Sequence, residues 1–148
     1  MRSKFPMMLV RMIVGLTFLI EGILKFVLPG ELGTGRFEHL GFPVPQILAT
    51  FVGGVEIGAG AALILNIYAG DAAVLLLAVI VTALITTKTP ILMGRPLGPF
   101  PLAKNLAHTG FFSFFHEART DLAMLISLIA IVIDSGAQLG RKKRWYQR

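Results

Sequence analysis

The chain contains no cysteine, and this absence excludes several kinds of chemistry. Disulfide exchange, thiolate nucleophiles, iron–sulfur ligation and cysteine-based zinc sites all require a cysteine sulfur. Charged residues are also scarce, because they make up 15% of the 148 residues, whereas hydrophobic residues make up 55%. A soluble domain of this size needs more polar surface, so this composition, with a mean hydropathy of +0.75, predicts a membrane protein.

Histidines are few, and none lies within a long apolar stretch. His39, His108 and His116 all fall in connecting segments, and no two of them are four residues apart. The paired intramembrane histidines that hold a b-type haem are therefore absent, and we predict no metal site. Without cysteine or haem ligands, any electron must come from a protein partner or from a bound organic cofactor.

Four apolar stretches are long enough to cross a bilayer, which takes about 20 residues of helix. They cover residues 7–28, 46–65, 71–87 and 120–139. We therefore predict an all-α membrane protein whose single domain, residues 1–148, is an antiparallel bundle of four transmembrane helices.

The long connection between the third and fourth spans divides into two halves. The first half is rich in proline and glycine, which excludes a regular helix. The second half has helical periodicity, and its apolar side consists of Leu102, Leu106, Phe111, Phe114, Phe115 and Ala118. We predict that this second half is a helix that lies in the membrane interface or caps the bundle.

Basic residues predict the orientation of the bundle. Arg2, Lys4 and five basic residues from Arg141 to Arg148 flank the same side. Basic residues next to spans favour the cytoplasm, so both termini are predicted to be cytoplasmic in a multi-pass protein of the cell membrane. The net charge of +6 comes largely from the two ends, which favours contact with anionic lipid over nucleic acid. The sequence leaves the oligomeric state open, including a homo-oligomer.

Ionisable residues inside the apolar stretches are the most informative feature of the chain. Each costs roughly 2.5–3.5 kcal/mol at the centre of a membrane helix, so we expect these residues to face the protein interior. In an antiparallel four-span bundle, Arg11 and Lys25 lie at the depths of the two acids of span four, Asp134 and Asp121. We predict the pairs Arg11–Asp134 and Lys25–Asp121, either as structural ion pairs or as parts of a site.

Glu56 and Glu21 lack such a structural explanation. Glu56 lies near the middle of span two, and the basic residues of span one are about 10 Å away along the axis. Glu21 is nearer in depth, and Lys25 is its available i,i+4 partner. Because an acid near the midplane is costly and is typical of functional sites, Glu56 and Glu21 are the predicted catalytic residues. In the same span, Gly54 and Gly58 form a pattern that predicts close approach of another helix.

The first span resembles the opening motif of DoxX family membrane proteins, which have an arginine, two glycines, a phenylalanine and a lysine on one helical stripe. In this chain the stripe consists of Arg11, Gly15, Phe18, Gly22 and Lys25. The resemblance covers most of the chain and continues through residues 37–43, Glu56 and residues 118–121.

This resemblance implies a four-helix protein of the bacterial or archaeal cytoplasmic membrane that is linked to redox work. Relatives are subunits of quinone-reducing thiosulfate oxidation, or partners of thiol and superoxide detoxification enzymes. The resemblance also implies ligand-binding roles for the motif positions Arg11, Lys25, Arg119 and Asp121.

We therefore predict an oxidoreductase-associated membrane subunit that binds a quinone-like cofactor. Lys25 and Arg119 would bind a carbonyl or anionic group of the ligand, and Glu56 would exchange protons. Two alternatives stay open: a non-enzymatic scaffold that docks soluble detoxification enzymes at the membrane, and a pathway for small solutes or protons. Whether the chain is itself an enzyme also stays open.

Overall fold

The computed structural model describes the backbone of residues 5–145 and the side chains of residues 5–136. This part of the chain is helical and contains no β-strand beyond a single bridge between Leu97 and Phe100. The helices are α1 (Phe5–Val27), α2 (Thr34–His39), α3 (Pro45–Leu65), α4 (Ala69–Ala83), a π-helical turn (Leu84–Lys88), α5 (Thr89–Met93) and α6 (Phe111–Trp145).

Three helices among the described residues are long and apolar enough to cross a membrane. They are Phe5–Val27, Pro45–Leu65 and Ala69–Met93, the last of which combines α4, the π-helical turn and α5. Their mean hydropathies are 2.0, 1.9 and 2.2, and this confirms the predicted all-α membrane protein. The predicted fourth span lies within α6, and its crossing of the membrane stays a prediction.

The predicted interfacial helix between spans three and four is not found as a separate element. Leu102 and Leu106 lie outside any helix, and α6 begins at Phe111 and continues without a break through the predicted fourth span. Gly110, with a φ of +102°, precedes α6, and its carbonyl accepts a hydrogen bond from the amide of Phe114. No glycine or proline follows until Gly136, so nothing in the sequence interrupts the helix.

The outer surface of the bundle is apolar, whereas its interior contains small residues. Ile13, Leu16 and Ile20 on α1, like Ile47 and Phe51 on α3, are about half exposed or more. A contiguous apolar surface of this kind is expected where a protein contacts lipid. The three apolar helices therefore contact the lipid bilayer.

Helices α1 and α3 are antiparallel and touch through glycines. A Cβ atom added to Gly15 would lie 2.7 Å from the carbonyl oxygen of Gly60, and one added to Gly22 would lie 2.8 Å from that of Gly53. Only residues without a side chain allow the backbones to approach this closely. The glycine stripe of the first span thus forms the α1–α3 interface.

The predicted close approach at Gly54 and Gly58 does not occur within the described chain. A Cβ atom on either residue would have no atom within 4 Å, other than those of its own helix and chain neighbours. Gly53 and Gly60 make the close contact instead. They are seven residues apart, which is two helical turns, so both face α1 together with the intervening Glu56.

The two ends of the bundle are packed differently. We call the end that carries α2 and residues 94–110 the loop end, and the opposite end, where α1 begins and α3 ends, the terminal end. Towards the terminal end, large side chains from all four long helices are fully buried against one another: Val14, Leu63, Leu76, Leu128 and Ile131. These side chains form the apolar core of the bundle.

Candidate functional site

A cavity of about 470 Å³ lies between the helices towards the loop end of the bundle. Side chains of α1, α2, α3, α4, the π-helical turn and α6 form its wall, which is mainly apolar. The charged residues on the wall are Glu21, Lys25, Arg36, Glu56 and Asp121. The fold therefore brings together four of the six predicted site residues, Glu21, Lys25, Glu56 and Asp121, although they come from three different helices.

Lys25 and Glu56 form an ion pair on this wall. Lys25 Nζ lies 2.6 Å from Glu56 Oε2, and the two side chains are 11% and 5% exposed. The expectation that Glu56 has no basic partner is therefore wrong. Within a mainly apolar wall, this pair is the strongest polar feature of the cavity.

The direction of the side chains explains why a comparison of depths along the helix axes did not predict this pair. Because Gly22 lies opposite Gly53, the backbone of Lys25 is about 9 Å from the level of Glu56 at 1.5 Å per residue. Side chains on a helix tilt towards its N-terminus. In antiparallel helices, Lys25 and Glu56 therefore reach towards each other, and the long lysine stem closes the gap.

Asp121 pairs with Lys88 and not with Lys25. The distance between Lys88 Nζ and Asp121 Oδ2 is 3.6 Å, and both side chains are mostly buried. The predicted Lys25–Asp121 pair is thus replaced by two other pairs, although both residues line the same cavity. Lys88 is the last residue of the π-helical turn, which packs against α6 and brings the ammonium group to the start of the predicted fourth span.

Arg11 lies far from the main cavity, towards the terminal end. It is 8% exposed and lines a second cavity of about 410 Å³ together with residues such as Leu63 and Asn66. The structure therefore does not bring Arg11 to the acids of the main cavity. The pairing of Arg11 with Asp134 stays a prediction.

Arg119 also lies outside the cavity wall. It is exposed, and its guanidinium donates a hydrogen bond to the carbonyl of His116 in the preceding turn. On α6, Asp121 and Met124 face the cavity, and Arg119 is two residues, or about 200°, away from Asp121 around the helix. Arg36 of α2 is the arginine that the fold does bring to the cavity.

Threonines are the site residues that the sequence reasoning missed. Five of them line the cavity: Thr17, Thr82, Thr86, Thr87 and Thr120. Three of them belong to α4 and the π-helical turn, and their i, i+4, i+5 spacing places them on one face of that helix. This spacing is visible in the sequence and would have indicated a polar face on an otherwise apolar span.

The π-helical turn ends two residues before Pro90, whose missing N–H cannot continue the α-helical ladder. Such turns are rare and occur frequently at functional sites. Thr86 and Thr87 lie within it, and Thr86 is 4% exposed. The helix irregularity and the hydroxyl-bearing face therefore coincide at the cavity.

Aromatic side chains cover the loop end of the cavity. The ring of Phe42 lies 5.2 Å from that of Phe37 and 5.1 Å from that of Phe100, measured between centroids. Phe37 and Phe42 line the cavity, whereas Phe100 belongs to the connection before α6. Gly41, at a φ of +77°, contacts the carbonyl of Pro99 so closely that a side chain would collide with it. Two connections are thus held together over the cavity.

Charge is balanced around the cavity. Three acids, Glu21, Glu56 and Asp121, lie on the wall with two bases, Lys25 and Arg36, and a third base, Lys88, forms an ion pair with Asp121. No group of three or more potential metal ligands occurs among the described residues. The arrangement is suited to holding an amphipathic molecule of no large net charge, with polar groups that hydrogen bond and exchange protons.

Comparisons with known proteins agree with this membrane architecture. Residues 7–89 match the family model for DoxX. The chain is also 41% identical, over 139 residues, to an uncharacterized membrane protein of Mycobacterium tuberculosis, and the alignment covers 94% of this chain and 80% of that relative. No solved structure matches the chain.

Proposed function

Since the chain belongs to the DoxX family of membrane proteins, we propose that it is a membrane subunit of a redox system and binds a small quinone-like ligand in the cavity at the loop end. The observation that carries this proposal is the Lys25–Glu56 pair, which lies on the wall of a mainly apolar cavity between the helices. Ligand sites typically have about 300–1,000 Å³ of space, apolar walls and a few convergent polar groups. The cavity fits this description.

Each charged residue on the wall has a proposed role. Lys25 binds a carbonyl or anionic oxygen of the ligand. Glu56, which accepts a hydrogen bond from Lys25, exchanges a proton with the ligand. Glu21 lies one helical turn from Lys25, so we propose that it takes part in the same proton exchange. Arg36 on α2 takes the place that the sequence suggested for Arg119, and Asp121 holds Lys88 at the start of the predicted fourth span.

The packing of the bundle favours a binding cavity over a pathway. The buried core of Val14, Leu63, Leu76, Leu128 and Ile131 lies between the main cavity and the smaller cavity beside Arg11 at the terminal end. A solute or proton pathway needs a continuous polar or open route across the membrane, and these apolar side chains interrupt such a route. A scaffold that only docks soluble enzymes needs no cavity. A measurement of ligand binding therefore distinguishes a ligand-binding subunit from such a scaffold.

Ligand binding is tested on the protein purified in mild detergent, with a short-chain quinone as the probe and isothermal titration calorimetry as the measurement. The variant is the double substitution Lys25→Gln/Glu56→Gln, because removing both charges leaves no uncompensated ion in the interior. We expect it to lower the affinity at least about tenfold, which corresponds to about 1.4 kcal/mol. Thermal unfolding of the same sample shows whether the fold is intact.

Glu31→Gln is the matched control. Glu31 is exposed in the connection between α1 and α2 and does not line the cavity, so its substitution should leave the affinity unchanged. The proposal is wrong if the unsubstituted protein does not bind the probe, or if a folded double variant binds it as tightly as the unsubstituted protein.

A further inference from the structure

Four of the five threonines on the cavity wall use their hydroxyl hydrogen within their own helix. Four threonines donate to the backbone of their own helix: Thr17 to Ile13, Thr82 to Ala78, Thr86 to Thr82 and Thr87 to Ala83. The distances from Oγ1 to the carbonyl oxygens are 2.7–2.8 Å. These are short, well-formed hydrogen bonds.

A threonine hydroxyl has one hydrogen and two lone pairs. Once the hydrogen is donated to a carbonyl in the helix, the oxygen can only accept a bond from a ligand. Inside a membrane this arrangement is stable, because no water offers the hydroxyl another acceptor. The hydroxyl-bearing face of α4 and the π-helical turn is therefore an acceptor surface.

The charged residues strengthen this acceptor character. Glu21 and Asp121 present carboxylate oxygens on the wall, and carboxylates only accept hydrogen bonds. Lys25 is a donor with three hydrogens, of which one is donated to Glu56 Oε2 and a second to the carbonyl oxygen of Glu21 at 3.5 Å, so one hydrogen is left for a single oxygen of the ligand. Arg36, the other basic residue on the wall, is exposed on α2 near the aromatic cover.

We infer that the cavity prefers a head group that donates hydrogen bonds and, building on the function proposed above, that it binds a hydroquinone more tightly than the corresponding quinone. The two oxygens of a quinone only accept hydrogen bonds, so the oxygen that Lys25 does not bind would face the threonine oxygens without a hydrogen between them. The hydroxyl groups of a hydroquinone supply that hydrogen. The two forms have nearly the same size and apolar surface, so this difference determines their relative affinities.

Tighter binding of the reduced form raises the reduction potential of the bound couple. For a two-electron couple, each tenfold preference corresponds to about 30 mV. We expect the hydroquinone to bind at least about tenfold more tightly, and hence the potential of the bound couple to lie at least about 30 mV above that of the free couple.

The test compares both forms of one short-chain quinone on the full-length protein in detergent. Calorimetric titrations are run with the oxidised form and, without oxygen, with the chemically reduced form. The variant Thr86→Val/Thr87→Val removes two acceptor oxygens and keeps the side-chain shape. The ratio of the affinity for the hydroquinone to the affinity for the quinone should therefore fall towards one. The affinity for the quinone itself should change less than about threefold. Thr82→Val, at a more exposed position, is a second variant if the first does not fold.

Thr50→Val is the matched control. Thr50 on α3 also donates to its own helix, with 2.8 Å from Oγ1 to the carbonyl oxygen of Gln46, but it does not line the cavity. Its substitution should leave the preference unchanged. Equal binding of both forms, tighter binding of the quinone, or a preference that survives in the threonine variants overturns this inference while leaving the proposed function in place. Binding of neither form overturns both.

Discussion

At the scale of single residues, the Lys25–Glu56 pair is the feature with the largest energetic consequence. Two nearly buried side chains of opposite charge lie 2.6 Å apart on a mainly apolar wall. Burial makes each charge costly alone, and the pair is tolerated because each charge compensates the other. The same dependence makes the pair sensitive to a ligand that competes for either member.

Substituting one member of this pair should therefore destabilise the protein more than substituting both. Glu56→Gln leaves the ammonium group of Lys25 without its counter-ion, which typically costs on the order of 3 kcal/mol for a buried pair. The double variant Lys25→Gln/Glu56→Gln should recover most of that loss. Thermal unfolding in detergent measures the stability of both variants. Equal stabilities of the single and double variants would contradict a coupled pair.

At the scale of elements, glycines determine how α1 and α3 pack. Gly15 contacts Gly60, and Gly22 contacts Gly53, so the two backbones run side by side without intervening side chains. This close approach positions Lys25 and Glu56 within reach of each other. The helix contact and the ion pair are therefore linked.

Gly60→Ala should separate the two helices. Its Cβ atom would lie 2.7 Å from the carbonyl oxygen of Gly15 and 2.8 Å from the amide nitrogen of Leu19, so the backbone itself must move. Such overpacking typically costs about 1–3 kcal/mol. Gly58→Ala is the control, because a Cβ atom there has no neighbour within 4 Å and alanine favours the helix. The unfolding temperature should fall for Gly60→Ala only, and a fall of similar size for both variants would refute this packing argument.

At the scale of the whole molecule, the two halves of the interior are packed differently. The main cavity occupies the half next to α2, whereas the buried core and the smaller cavity beside Arg11 occupy the half where α1 begins. Helix α6 has 35 residues and is about 52 Å long at 1.5 Å per residue, which exceeds the roughly 30 Å of a hydrocarbon layer. We propose that α6 crosses the membrane and extends beyond it, with both termini in the cytoplasm.

This topology can be tested directly, because the chain has no cysteine of its own. A single cysteine at Lys104, in the exposed connection before α6, should react with a membrane-impermeant maleimide in intact cells. A single cysteine at Gln147 should react only after the cells are permeabilised. Labelling of both Lys104→Cys and Gln147→Cys in intact cells would show that α6 does not cross the membrane, and labelling of Gln147→Cys alone would show that the predicted orientation is reversed. The unsubstituted chain is the control and should not be labelled.

Much of the architecture could be predicted from hydropathy, because a membrane helix requires a long apolar stretch with its backbone bonds satisfied internally. The three apolar helices, the placement of Lys25 and Glu56 in the interior and the glycine stripe on α1 all follow from that constraint and from helical spacing. The partners of the charged residues do not. They depend on side-chain length and direction, which a comparison of depths along the helix axes leaves out.

The threonine face of α4 and the π-helical turn is a second feature whose surroundings the sequence does not show. Its spacing is present in the sequence, but threonines are common in membrane helices, and only the packing of α4 against α6 turns this face towards a cavity. Arg36 reaches the cavity because α2 folds back over it, which no local pattern indicates. Periodicity and composition are local properties and act within one helix, so they establish the membrane helices and their polar faces. Ion-pair partners and the cavity arise between helices, and therefore only the packed bundle defines them.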